Sequence, residues 1–195
     1  MKRRYRNFIE RLCYNFLLLC VATYSPGNYA QQDEEVAGRV VAVSGAVSAR
    51  DTTGSARTLS RRSEIFVGDT VVTDTASFAQ IRMTDAAIIS LKELTEFEIV
   101  AYSYADNPGS DVSTMRLIEG GFRTITGSIG EQNLDAYNVE TEFATIGIRG
   151  TDHEAVITDA LYTGVYDGGT TLANDGGSLD LGLDADCPSS NKWNR

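Results

Sequence analysis

TEFATIGIRGTDHEA, Thr141 to Ala155, is the stretch whose reading decides the fold class. β-Branched residues and glycines surround one arginine, Arg149, and a run of side chains that can carry charge: Asp152, His153 and Glu154. The spacing predicts a strand ending at Ile148, a tight turn that depends on glycine, and a second strand from Thr151. A strand alternates its faces, so Asp152 and Glu154 point one way and His153 the other. The three therefore cannot converge on one substrate.

Outward from this stretch the chain keeps the same character. RVVAVSGAVSA (39–49), IFVGDTVVTD (65–74), SFAQIRM (77–83), AAIISLK (86–92) and TEFEIV (95–100) are rich in Val, Ile, Thr and Phe. Turn formers such as Gly68-Asp69 and Thr84-Asp85 separate them. No long window carries an apolar stripe of helical period. AYSYADNPGSD (101–111) reads as a surface loop and the one internal boundary. VSTMRLIEGGFRTITGSIG (112–130) reads as strand, glycine turn and strand. In LYTGVYDGGTTLANDGGSLDLG (161–182), strands of a few residues alternate with Gly, Asp and Asn. The expectation is an all-β single domain over residues 36–183, its short strands forming a coiled β-roll or solenoid-like structure, with a β-sandwich as the alternative. Residues 184–195, DADCPSSNKWNR, form a polar C-terminal tail, disordered in this reading.

The first thirty residues read as a secretory signal peptide. Lys2, Arg3, Arg4, Arg6 and Arg11 form the basic end, and Phe16 to Ala22 the apolar run. That run is too short for a transmembrane helix, which takes about 17–25 apolar residues. The expectation is a cleaved leader, a periplasmic or extracellular location, and no stable membrane span in the mature chain. The chain holds 17 basic and 27 acidic side chains, of which the leader carries five and one, so the mature part stands near −14. A field of that sign repels a phosphate backbone, which excludes nucleic acid as a partner. Cys187 is the only cysteine left after the leader, so no internal disulfide is expected.

Candidate chemistry is sparse. His153 is the only histidine, which leaves neither a nucleophile–base set nor a zinc ligand set. Its ordinary pKa would allow a mild pH response. TGSIG, Thr126 to Gly130, lacks the Gly-Lys-Ser/Thr ending and the following helix of a phosphate cradle. Asn174 to Asp186 is rich in oxygen ligands, and calcium is its one candidate ion, but its spacing fits turns better than a calcium loop. No cofactor is expected. Asp69 reads as a turn residue. Arg149, flanked by Gly147 and Gly150, reads either as a structural ion pair with Asp152, Glu154 or a neighbouring aspartate, or as an anchor for a partner's carboxylate. Gly147 and Gly150 then serve the turn or a close backbone approach. A hydrolase would need two carboxyl groups in a cleft, for instance Asp152 with Asp167.

GRVVAVSGAVSAR (38–50), GDTVVTDTASFAQIRMTD (68–85), ISL, FEI, GGFRTITGSIG (120–130) and TEFATIGIRGTDHEA together resemble the FecR family domain, and VYDGGTTLANDGGSLDLG (165–182) resembles its last rungs. The resemblance spans Gly38 to Gly182. What makes it specific is the combination of the Gly68-Asp69 pair, the arginine-bearing RTITG (Arg123 to Gly127) and TIGIRGT (Thr145 to Thr151), and no one of these alone. It implies a β-rich extracytoplasmic domain that binds protein and is not an enzyme. In the best-known members this domain is the periplasmic part of a regulator that answers an outer-membrane transporter and controls a sigma factor. Other members are exported single-domain proteins, and this chain resembles those, with too few residues before the apolar run for a cytoplasmic anti-sigma segment. The residues singled out as structural or interaction candidates are Asp69, Arg123, Gly147, Arg149, Gly150, Thr151, Asp152 and Glu154. The expected function is a non-catalytic interaction or sensing domain with a protein partner in the cell envelope; the alternatives are a carboxylate-dependent envelope hydrolase and a structural envelope protein. Two departures stand out: Ala86 where the family usually has glycine, and LDADCPSS after LDLG where another strand is expected, which would leave a sheet edge exposed.

Overall fold

Alternation of apolar and polar residues builds sixteen strands among the described residues of the computed structural model. These residues are 35–148, 150–182 and, for the backbone alone, 190–193. In chain order the strands are β1 (Val36–Ser44), β2 (Val47–Arg50), β3 (Ala56–Thr58), β4 (Glu64–Phe66), β5 (Thr70–Thr73), β6 (Phe78–Met83), β7 (Ile88–Leu91), β8 (Thr95–Ser103) and β9 (Val112–Ile125). After one turn of helix, α1 (Ser128–Gln132), come β10 (Tyr137–Glu140), β11 (Thr145–Ile148), β12 (Asp152–Ile157), β13 (Leu161–Asp167), β14 (Gly169–Asn174), β15 (Gly177–Gly182) and β16 (Ser190–Trp193). The fold is nearly all-β, with every strand in one sheet that does not close into a barrel.

That sheet has two layers sharing β9. One layer runs β4-β1-β6-β7-β9-β12-β13-β16, the other β3-β2-β5-β8-β9-β10-β11-β14-β15. All pairs are antiparallel except β9 with β10. The first half of β9 pairs with β8 and β10, and its second half with β7 and β12. The chain thus coils from layer to layer, and glycines with φ between 63° and 88° mark the crossings at Gly45, Gly68, Gly120, Gly150 and Gly168. Gly120 shows why a side chain is excluded there: a Cβ would stand 2.3 Å from the Leu94 carbonyl oxygen. The strand–turn–strand expectation for residues 112–130 is corrected at this point. Gly120 and Gly121 bend one strand of fourteen residues instead of ending it.

Inward-facing side chains of both layers fill one core. Phe97 on β8 meets Phe122 on β9 at 5.1 Å between ring centres. Tyr137 on β10 meets His153 on β12 edge-on at 6.3 Å. A polar bolt joins the layers at one end. The Tyr102 hydroxyl donates to Asp85 Oδ1 at 3.0 Å and accepts from the Asp85 N–H at 2.9 Å. The same carboxylate accepts from Ala87 N at 3.1 Å and Ile129 N at 3.3 Å, so a buried charge is met by several donors. Tyr102 also corrects the loop expectation for 101–111: β8 continues to Ser103, its alternation interrupted by a bulge between Ile99 and Ala101 that turns Tyr102 inward, and Asp111 closes the shorter loop by accepting from Ala105 N and Asn107 N.

Two smaller differences concern the ends. Ser190–Trp193, within the segment read as a polar tail, pairs along β13, whose outer edge offers unpaired backbone groups. A short helix does follow Thr126 to Gly127, against the reading of that loop, although five residues give it no anion site. The leader, residues 1–30, lies outside the described residues, as do Cys187 and most of the remaining tail.

Candidate functional site

Alternation along β12 turns Asp152 and Glu154 outward and buries His153. Arg123 on β9 lies opposite Glu154 in register, but its guanidinium reaches diagonally to Asp152. Nε donates to Oδ1 at 2.8 Å and Nη2 to Oδ2 at 2.6 Å, a two-pronged fork. The other face of this plane carries Tyr166. The register between β12 and β13 slips between Asp152 and His153, and this bulge sets the Tyr166 ring over the guanidinium at 4.2 Å. Tyr166 is 57% exposed. Its hydroxyl donates to Glu154, which also holds Lys92 Nζ at 2.9 Å. The result is a surface cluster of two cations, two carboxylates and one aromatic ring on the outer face of the β9–β12–β13 region.

Electrostatics make this cluster a poor acid–base device. The hydrogen bonds from Arg123 hold the Asp152 carboxyl below the ordinary carboxylate range, although partial burial opposes them. Asp167 stands directly opposite Asp152 on β13, as the hydrolase alternative requires. A general acid needs a raised pKa, however, and Asp152 is moved the other way. Three shallow depressions of about 380, 450 and 280 Å³ lie elsewhere and include neither residue in their walls.

The buried side of β12 is structural. His153 is fully buried, its ring edge-on to Phe122 at 5.6 Å and its Nδ1 3.1 Å from Thr151 Oγ1. Burial pushes its pKa down to about 4, which corrects the expectation of a mild response near neutrality. Thr151 pins β12 to the end of β9: its N–H donates to Thr126 Oγ1 at 3.1 Å, and its carbonyl accepts from the same hydroxyl at 2.8 Å. Nearby, the Tyr137 hydroxyl and Thr124 Oγ1 lie side by side without full hydrogen-bond geometry.

The remaining candidates separate. Asp69 does close the Phe66–Asp69 turn, with Gly68 at φ 88° and its own N–H donating to Phe66 O. It is also buried, and Arg57 grips both its oxygens while stacking 5.1 Å from the Phe66 ring. Gly150 takes the left-handed turn expected of it, φ 63°. Gly147 does not: it lies inside β11, a Cβ there would meet its nearest atom only at 3.8 Å, and its bareness shapes the 450 Å³ depression with Asn138 and Thr171. Arg149 lies outside the described residues, and the two acids named as its partners are engaged by Arg123 and Lys92. In the calcium candidate, Asn174 Oδ1 accepts from Gly176 N and Asp180 Oδ1 from Thr171, as in an ordinary hairpin; residues 183–186 lie outside the described residues. Among the described residues no three His, Cys, Asp or Glu side chains gather as a metal site.

Arg57, Lys92 and Tyr166 were not singled out from sequence. Arg57, in the middle of β3, and Lys92, just after β7, carry no local signal, since the acids they hold lie 12 and 62 residues away. Tyr166 shows only as an aromatic between turn residues; its position depends on the bulge.

A family model described as FecR protein matches residues 69–169. Two crystal structures of a candidate anti-sigma factor from Parabacteroides distasonis ATCC 8503 are similar at 15% and 14% identity, with TM-scores of 0.48 and 0.45. Each similarity covers 57% of this chain and 50% of the other, so the chain spans about half the length of those structures. No curated protein matches the chain.

Proposed function

We propose that this chain, which belongs to the FecR protein family, is a non-catalytic interaction or sensing domain working in the periplasm or outside the cell. The family match across residues 69–169 carries the reading, because it contains the whole Arg123, Asp152, Glu154 and Tyr166 cluster. That cluster supports it chemically. An aromatic ring stacked on an arginine, over half exposed and ringed by charge, is the composition of a protein-binding hot spot. The partner is a protein of the cell envelope, and nucleic acid is excluded by the acidic field. Export runs through residues 1–30. No helix among the described residues is long and apolar enough to cross a membrane.

Two experiments test this. Cell fractionation with N-terminal sequencing should find the protein outside the cytoplasm without its leader; intact full-length protein in the cytoplasm contradicts the reading. Immobilised wild type should retain an envelope protein that Arg123→Ala and Tyr166→Ala both lose while keeping the wild-type circular dichroism. Retention of the same protein by both variants moves the interaction site elsewhere on the domain.

A further inference from the structure

Pairing register across the layer that carries the cluster lines up one row of outward positions: Arg39 (β1), Arg82 (β6), Ile88 (β7), Ile125 (β9), Asp152 (β12) and Asp167 (β13). Each is the direct partner of the next. The row reads two cations, two apolar residues, two anions. Ile125 is 51% exposed. Arg39 and Arg82 stand directly opposite each other, a repulsive arrangement on a sheet. Arg39 has Glu64 at 2.6 Å, but Arg82 has no acid partner among the described residues, and at the far end Asp167 has no basic one.

We propose that this face binds a second copy of the same chain through a two-fold axis running parallel to the strands between β7 and β9. Such an axis reverses strand order and keeps position along the strands. It lays Ile88 on Ile125 of the second copy, Arg82 on its Asp152, and Arg39 on its Asp167. Each contact occurs twice, as a two-fold interface requires. The adjacent outward row is complementary under the same operation. Gln80, Ser90, Arg123 and Glu154 are successive cross-strand partners. Ser90 then faces Arg123 of the second copy, and Gln80 faces its Glu154, each a hydrogen-bond donor or acceptor matched to a charge. Strands sit about 4.8 Å apart, so Arg82 and Asp152 are equally distant from the axis, as are Arg39 and Asp167. Stacked sheets rotate by about 30° on each other, so register is best kept at the axis, where the isoleucines meet, and the long charged side chains take up the divergence farther out. Asp152 keeps its own Arg123 fork and has lone pairs left for a second guanidinium.

This inference rests on reading the face as an interaction surface and names a second copy as its occupant. Sedimentation of the purified protein as exported, from about 1 µM to about 1 mM at low salt, should show a monomer–dimer equilibrium that weakens as salt rises. Arg82→Glu and Ile125→Asp should each raise the dissociation constant about tenfold or more while keeping the wild-type circular dichroism spectrum. The charge exchange Arg39→Asp with Asp167→Arg in one chain should leave the dimer near wild-type strength, which a merely structural role for this row would not require. A wild type that stays monomeric across the range, or a dimer indifferent to both single variants, overturns the proposal. A monomer that still retains an envelope partner through Arg123 removes the dimer and leaves the proposed function standing.

Discussion

Ala86 holds φ at 73° in the turn from β6 to β7, with its N–H bonded to Met83 O. The geometry suited to glycine is therefore kept by a residue with a side chain, and Ala86→Gly should stabilise the fold. Relief of left-handed strain, about 1–2 kcal/mol, is offset by about 0.4–1 kcal/mol of added freedom in the unfolded chain, so denaturant unfolding should show a net gain of about 0.5–1 kcal/mol. No gain means the turn relaxes in solution. His153 gives a pH dependence with a definite sign. Its folded-state pKa, about 4, lies below the ordinary 6.5, so its contribution is complete above about pH 6.5 and is lost as pH falls toward 4. Stability should fall by about 3 kcal/mol across that window, and His153→Phe should flatten the slope. An unchanged slope in that variant would assign the acid sensitivity to carboxylates. At Asp69, Arg57→Ala strands a buried carboxylate and should lower stability by about 2–3 kcal/mol, less than a fully buried pair because the Arg57 side chain is 35% exposed. Asp69→Asn in the same chain should recover part of that loss.

β9 is the element on which both layers depend. Its first half donates and accepts with β8 and β10, its second half with β7 and β12, and Gly120 makes the bend between them. Gly120→Ala adds a Cβ against the Leu94 carbonyl and Thr95 at a left-handed φ, so neither a rotamer change nor a side-chain shift relieves it. A loss of about 3 kcal/mol or more is expected in chemical denaturation. Gly147→Ala, in the open strand β11, should cost far less. Equal losses for the two would mean that the bend is not the constraint. The contrast also explains what was readable in advance. Alternation and turn residues mark β5, β6, β7 and β12 directly, whereas two glycines in a row look the same in a turn as in a bent strand. Only the neighbours that β9 pairs with decide between them.

At the scale of the molecule the two layers share one core, β9, and the Asp85–Tyr102 bolt, so they should lose structure together. Far-ultraviolet and near-ultraviolet circular dichroism should report coincident melting curves, with a β-type spectrum. A separate early transition would show that the layers open independently. The family resemblance, the all-β class and the coiling expected of short strands with glycine corners agree with the family match and with the sheet that passes from layer to layer. By itself the sequence determined the alternation that turns Asp152 and Glu154 outward and His153 inward, and the glycines at which the chain can change layer. These are local matters, set by period two and by backbone sterics. Only the tertiary structure decided that Arg123 holds Asp152 across 29 residues and Lys92 holds Glu154 across 62. The same holds for the bulge that lays Tyr166 on Arg123 and for the burial that lowers the His153 pKa. Such pairings depend on which strands become neighbours and in what register. Register is a property of the assembled sheet, where one residue of slip exchanges the two faces.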